Sequence, residues 1–256
     1  MNAIEKEKYL RKKFGGRAIS ATSPEKIEKT KLVVFDFDET LVHSKEMFDN
    51  VNRRAMETLN LPHTEDIVKN AFNILQTEYV GWGKNFEDQV HIFKTRFNDT
   101  VVKLCNQDEF VNQVRFYNGM RNVIKQLAKT DVALAIASSR DLHSILKFLR
   151  KEKMLSYFEM IQATEGGKKF RDKPDTQIVN YISQEIGIPS TKAIMIGDTK
   201  GDIKMGRDMG MKTIGIGYGR YSSLDEMKNN APNAIVSSTK EIKNIPAIVN
   251  FLLNER

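Results

Sequence analysis

Four short apolar runs constrain the fold of this 256-residue chain more than any other feature. They are Leu32-Val33-Val34-Phe35, Val132-Ala133-Leu134-Ala135-Ile136-Ala137, Ala193-Ile194-Met195-Ile196 and Thr213-Ile214-Gly215-Ile216. The first three do not alternate apolar with polar residues. Such a pattern belongs to strands buried on both faces, as in a parallel sheet covered by helices on either side. Weaker candidates follow at Met160–Ala163 and Ala234–Val236. Helical stripes lie between the runs. Val123, Ile124, Leu127 and Ala128 form one, Leu142, Ile145, Leu146 and Leu149 a second, and Ile178, Val179, Ile182 and Ile186 a third. Strand and helix in alternation predict a doubly wound, Rossmann-like α/β sheet.

Nearly 100 residues separate the first run from the second, whereas a crossover between parallel strands needs only about a dozen. An inserted helical domain is therefore expected over residues 45–117. The core would take 31–44 and 118–256, and residues 1–30 would be a basic N-terminal extension. Within the insertion, Glu46–Leu59, Glu65–Gln76 and Phe86–Asn98 read as helices. Ten of the 22 aromatic residues fall there, enough for a core of its own. One main domain with an insertion suits this length. With 40% hydrophobic and 29% charged residues, the composition excludes a disordered or collagen-like chain.

The net charge of +7 points at first to nucleic acid. Its distribution points elsewhere. Residues 1–31 hold nine Lys or Arg against four Glu, which leaves only +2 for the remainder. A solvated basic tail is the plain reading, and contact with an acidic partner is the alternative. The single cysteine, Cys105, excludes an internal disulfide framework and a Cys-based zinc site, and it fits a reducing compartment. No apolar run approaches the roughly 20 residues that cross a bilayer, and no signal-like stretch opens the sequence. A soluble, cytoplasmic protein without integral membrane association is expected, with export by another route as the alternative.

Ligands of open α/β sheets bind beyond the carboxyl ends of the strands, and there this sequence concentrates its chemistry. Asp36-Phe37-Asp38-Glu39-Thr40 follows the first run. Ser138-Ser139-Arg140 follows the second, and Gly197-Asp198-Thr199-Lys200-Gly201-Asp202 follows the third. The loop Gly167–Pro174 precedes the third helical stripe. Asp36, Asp38, Asp198 and Asp202 in one place would repel and raise one another's pKa. A hard divalent cation relieves that, and oxygen ligands without His or Cys favour Mg²⁺. Lysine and serine donors suit phosphate oxygens, and a carboxylate can act as nucleophile. Phosphoryl transfer is the chemistry these groups fit. A single Asp at a strand end is as well read as a turn or helix cap; four matching loops on successive elements are not.

The four loops resemble the motifs of the haloacid dehalogenase-like superfamily. Asp36-Phe37-Asp38-Glu39-Thr40-Leu41 is similar to its DxDx(T/V) motif. Ser138 matches the second motif, Lys173 before Pro174 the third, and Gly197–Asp202 the fourth in its GDxxxD form. The resemblance spans residues 31–220. It implies that Asp36 attacks phosphorus and that Asp38 protonates the leaving group and then deprotonates water. Ser138, with Ser139 beside it, and Lys173 would hold phosphoryl oxygens. Mg²⁺ would be bound by Asp36, the backbone carbonyl of Asp38 and Asp198, with Asp202 in support. Asp38 argues against dehalogenation, since the dehalogenases lack that second Asp. The third motif departs from the common Lys-Pro-x-Pro, because Asp175 and Thr176 follow Pro174. Lys168 and Lys169 are the neighbouring alternatives.

A helical insertion between the first and second motifs resembles the cap of the phosphoglycolate phosphatase-like branch, where caps close over the site and choose the substrate. Hydrolysis of a small phosphorylated metabolite is thus expected. Asp36–Ser44 also resembles the DLDETLVHS stretch of phosphatases that act on the polymerase C-terminal domain, which keeps a phosphoprotein substrate as the alternative. A phosphomutase keeps the same aspartates, and a non-catalytic module would have lost one of them. Gly81-Trp82-Gly83-Lys84-Asn85 reads either as a turn with a packed Trp or as a loop that meets substrate.

Overall fold

The computed structural model describes residues 28–60, 64, 65, 68, 86–165, 167, 169–221 and 223–254, of which 86–94 are described by their backbone alone. Most of the basic extension, most of the expected helix Glu65–Gln76, the loop Gly81–Asn85 and Lys168 lie outside the described residues. The chain divides into two compact units, Ser44–Arg115 and the remainder, Met1–His43 with Phe116–Arg256.

In chain order the elements of the larger unit begin with strand β1, Lys31–Phe35. In the smaller unit come helices α1, Lys45–Thr58, α2, Phe86–Cys105, and α3, Asp108–Val111. The larger unit resumes with α4, Met120–Ala128, β2, Val132–Ser138, α5, Leu142–Lys151, and β3, Met160–Ala163. Next are α6, Gln177–Ile186, β4, Ala193–Gly197, α7, Lys200–Asp208, and β5, Lys212–Ile216. It ends with α8, Leu224–Asn229, β6, Ala234–Val236, and α9, Ile245–Asn254.

The six strands form one sheet in the order β3-β2-β1-β4-β5-β6, parallel throughout. The expected doubly wound α/β fold is present, and all six runs read from the sequence are strands. Their side chains explain why. Val33, Val34, Phe35, Ala135, Ile136, Ile194, Met195 and Ile196 have no exposed surface. Burying each large apolar side chain contributes roughly 1.5–3 kcal/mol, before the entropy of ordering it is counted. Alternate residues face opposite sides of the sheet. Leu32, Val34, Ala133, Ala135 and Met195 meet Ile178, Val179 and Ile182 of α6 and Met205 of α7. On the other face, α4 packs over β2 and α9 over β4, and the α4 stripe Val123, Ile124 and Leu127 is buried.

The order of connection reverses at β1. The chain moves outward through β2 and β3, then returns to β4 on the other flank of β1. Such a switch point leaves a crevice at the carboxyl ends of the strands beside it. Register aligns those ends. Phe35 lies opposite Ile136 on one side and Ile196 on the other, and the Asp36 N–H donates to the Ile196 carbonyl at 2.8 Å.

In the smaller unit, α1 and α2 pack together. Met47, Val51 and Ala55 recur at helical spacing on the buried face of α1, while Phe97, Val101 and Leu104 do so on α2. Helix α2 continues seven residues past the expected Asn98, because Val101 and Leu104 prolong that buried stripe.

Candidate active site

Asp36 is the first residue past β1 and lies almost wholly inside the protein, 7% exposed. Lys173 Nζ donates to Asp36 Oδ1 at 2.5 Å and to Asp202 Oδ1 at 2.7 Å. Burial pushes the Asp36 carboxyl up to about 7, with Lys173 pulling against it and Asp202 and Asp38 adding to it. Burial also works against the Lys173 ammonium, but Asp202 and Asp36 win and hold its pKa above the ordinary value.

Asp198 is the first residue past β4 and is buried. Burial first, then Asp36 and Asp202, raise its carboxyl well above the usual range. Thr40 Oγ1 donates weakly to its Oδ1, at 3.4 Å. Its Oδ2 is buried and has no hydrogen-bond partner in the protein. A buried carboxylate oxygen left without a partner costs free energy. Oxygens of Asp36, Asp198 and Asp202 all lie within 4.8 Å of one another. An all-oxygen set with one atom unpartnered is what a hard divalent cation requires. Among the described residues, these three carboxylates are therefore fit to hold one.

Asp202 is placed differently from its two neighbours. It sits at the third position of α7 and completes a capping box with Thr199. Its Oδ2 accepts from the Thr199 N–H at 3.1 Å and hydroxyl at 2.6 Å, while its Oδ1 receives Lys173. Both oxygens are engaged, so Asp202 fixes the start of α7 and the head of Lys173.

Asp38 lies two residues on, after the buried Phe37. A tight turn closes with Leu41 and Val42 N–H groups on the Phe37 carbonyl and Glu39 in the left-handed region at φ 57°. Glu39 is fully buried and accepts from the Tyr117 hydroxyl at 2.8 Å. Burial, then Glu39, pushes the Tyr117 phenol far up, so it stays a donor. The Tyr218 hydroxyl holds the Thr40 carbonyl at 3.1 Å. Asp38 itself accepts from Arg140 Nη1 at 2.9 Å.

Ser138 ends β2 and is buried, and Ser139 beside it is exposed. The Arg140 N–H donates to Ser138 Oγ at 3.1 Å, which leaves the hydroxyl proton of Ser138 as a donor. Of the three candidate lysines, Lys173 reaches Asp36, while Lys169 donates to Gln162 Oε1 at 2.8 Å. The loop that carries Lys173 is braced by the Thr164 hydroxyl on Asp172 at 2.5 Å.

Two features are not read from the sequence. One is Arg140, visible only as a charge next to an apolar strand. The other is the loop after β5. A Cβ on Gly219 would come within 2.6 Å of Asp198 Cβ and Oδ2, so only glycine lets this backbone approach the unpartnered oxygen. The Gly-x-Gly of Gly217-Tyr218-Gly219 after an apolar run was the available signal.

The family model described as haloacid dehalogenase-like hydrolase matches residues 33–216. A phosphorylated carbohydrates phosphatase from Thermotoga maritima is 22% identical over 77% of this chain and 88% of its own length. A phosphoglycolate phosphatase from Psychrobacter arcticus is 23% identical over 87% of this chain and 95% of its own. Among solved structures, a haloacid dehalogenase-like family hydrolase from Streptococcus pneumoniae superposes with a TM-score of 0.67 at 16% identity. It covers 86% of this chain and 98% of that one. A hydrolase from Pseudomonas syringae gives a TM-score of 0.62 at 17% identity, over 85% and 97%.

Proposed function

This chain belongs to the haloacid dehalogenase-like hydrolase family, and we propose that it is a Mg²⁺-dependent phosphatase of a small phosphorylated metabolite, acting through an aspartyl phosphate on Asp36. The observation that carries this reading is the pairing of Asp36 with Lys173 beside the unpartnered oxygen of Asp198. It sets a carboxylate, a fixed ammonium and an unpartnered carboxylate oxygen in one buried place, which supports a nucleophile with a cation beside it.

In the first half-reaction an Asp36 oxygen bonds to phosphorus as the ester P–O bond breaks. Asp38 gives its proton to the departing oxygen, which leaves as an alcohol. In the second half, Asp38 takes a proton from water as that water's oxygen attacks phosphorus. The bond to Asp36 breaks, and inorganic phosphate forms. Lys173 and the Ser138 hydroxyl hold phosphoryl oxygens and stabilise the charge that builds on them. Ser139 stands next to Ser138 as a further donor. Bound Mg²⁺ would neutralise the crowded carboxylates and polarise a phosphoryl oxygen; Asp36, Asp198 and the Asp38 backbone carbonyl would hold it, with Asp202 in support.

The substrate class rests on relatives whose names specify phosphorylated carbohydrates and phosphoglycolate. The inserted helical unit between the first and second motifs is assigned as the cap that selects among such substrates. No helix among the described residues is long and apolar enough to cross a membrane, and the one cysteine is a buried thiol. Both support a cytoplasmic site of action. A panel of sugar phosphates, phosphoglycolate, nucleotides and phosphopeptides in Mg²⁺ tests the proposal. Highest kcat/KM on a sugar phosphate or phosphoglycolate is expected. Highest kcat/KM on a phosphopeptide would replace the metabolite with a phosphoprotein.

A further inference from the structure

Arg140 is a buried cation to which the phosphoryl chemistry above gives no task. Its side chain is 2% exposed, and a guanidinium is costly to desolvate unless its donors are met. Nη1 donates to Asp38 Oδ1 at 2.9 Å, and Nε donates to Ser144 Oγ at 2.7 Å. Ser144 is fixed in turn by Asp141, the N-cap of α5. The Ser144 N–H donates to Asp141 Oδ1 at 2.9 Å, and its hydroxyl donates to Asp141 Oδ2 at 2.6 Å. The guanidinium carbon also lies 5.8 Å from the centre of the Phe37 ring. A continuous set of bonds thus runs from the first turn of α5 to the Asp38 carboxylate.

The geometry points to Arg140 as the positioning residue that aims Asp38, an inference that rests on the reading of Asp38 as general acid and base. Asp36 and Asp38 are two residues apart, yet they meet different cations. The structure gives each its own. Lys173, from the loop before α6, serves Asp36 and Asp202. Arg140, from the end of β2, serves Asp38. With Oδ1 of Asp38 held by Arg140, Oδ2 is the oxygen that exchanges protons. It gives a proton to the leaving oxygen as the ester bond breaks. It takes one from water as the bond between phosphorus and Asp36 breaks. Arg140 touches neither phosphorus nor water in this scheme and acts only through Asp38. A carboxylate set loose in its turn would sample other rotamers, and misplacement by an ångström costs about 10²-fold in rate.

A double-mutant cycle on full-length protein with Mg²⁺ tests this, with phenyl phosphate and p-nitrophenyl phosphate as substrates. In the otherwise wild-type enzyme, Arg140→Ala should lower kcat on phenyl phosphate by about 10²-fold. The loss should be smaller on p-nitrophenyl phosphate, whose leaving group departs without a proton. In the Asp38→Asn background, which has no carboxylate to aim, the same change should alter kcat by less than about threefold, the mark of two residues that act as one unit. Thermal melts verify folding. Should Arg140→Ala fail to fold, Arg140→Lys carries the same cycle, because it keeps the charge and loses the second donor to Ser144. Equal losses from the Arg140 change in both backgrounds would overturn the positioning role alone. An Asp38→Asn enzyme as fast as wild type on phenyl phosphate would remove the acid–base reading and this inference with it.

Discussion

At Asp36 burial outweighs the pairing with Lys173, whereas at Lys173 the pairing with Asp202 and Asp36 outweighs burial. Asp36 sits in a place where its charge is penalised although Lys173 lies against it. A carboxyl whose pKa is about 7 when folded and near 3.9 when unfolded holds a proton that the unfolded chain has lost over that interval. Its contribution to stability is intact below about pH 4 and falls as pH rises toward about 7. Asp36→Asn has no such charge. In chelator, the variant should therefore gain stability relative to the wild type as pH rises from about 4 to about 7. Urea melts of both proteins at several pH values across that window measure the gap. A gap that is constant or shrinks would show that Asp36 is not held against its charge. Strand-end aspartates were legible in the sequence because four matching loops coincide. The partner of Asp38 was not. Arg140 reads like any surface arginine until β1 and β2 are laid side by side, and only then does its charge fall on Asp38.

At the scale of elements, strands and amphipathic helices could be read and the helix that carries Asp202 could not. β1, β2 and β4 are uniform apolar runs because both of their faces are covered. Helix α7, Lys200–Asp208, is largely polar and carries two glycines. It buries Ile203, Met205 and Gly206 by lying close on the sheet. A Cβ at Gly206 would come within 2.7 Å of Met195 and 2.8 Å of Thr213. Its readable signal was the Thr199-x-x-Asp202 capping box rather than a stripe. Thr199→Ala removes the hydroxyl that caps the Asp202 N–H and donates to Asp202 Oδ2, while the backbone N–H contact to Oδ2 stays. It should lower stability by about 1 kcal/mol, and it should also lower kcat, since Asp202 fixes Lys173. A denaturant midpoint measured beside kcat checks both, and an unchanged kcat would detach Asp202 from the site. The loop after β5 carries its own prediction. Gly219→Ala places a methyl against Asp198, so the Mg²⁺ concentration for half-maximal activity should rise at least about tenfold, or roughly 1.4 kcal/mol of binding. An unchanged Mg²⁺ requirement in a folded variant would mean that this backbone does not shape the cation site.

For the whole molecule, the chain order of its parts decides where chemistry can occur. The reversal of connection at β1 brings Asp36 and Asp198 together across 162 residues of sequence, and the insertion leaves β1 and β2 paired. The interruption of nearly 100 residues showed in the sequence as a gap too long for a crossover. At the other end, Lys29 is, among the described residues, the first side chain tied to the core, donating to the carbonyls of Ala128 at 2.9 Å and Thr130 at 2.6 Å. Deleting residues 1–28 should thus lower turnover of a small ester by less than about tenfold, some 1.4 kcal/mol of barrier. A folded variant slowed more than that would tie the basic segment to the site. The central claim is that phosphorus passes through Asp36. Rapid acid quench of Asp38→Asn with ³²P-labelled p-nitrophenyl phosphate, followed by peptide mapping, tests it most directly. With the nucleophile kept and the base for water lost, an acyl phosphate should accumulate on the peptide that contains Asp36 and be absent from Asp36→Asn. Label on any other residue, or label retained in Asp36→Asn, would contradict the account.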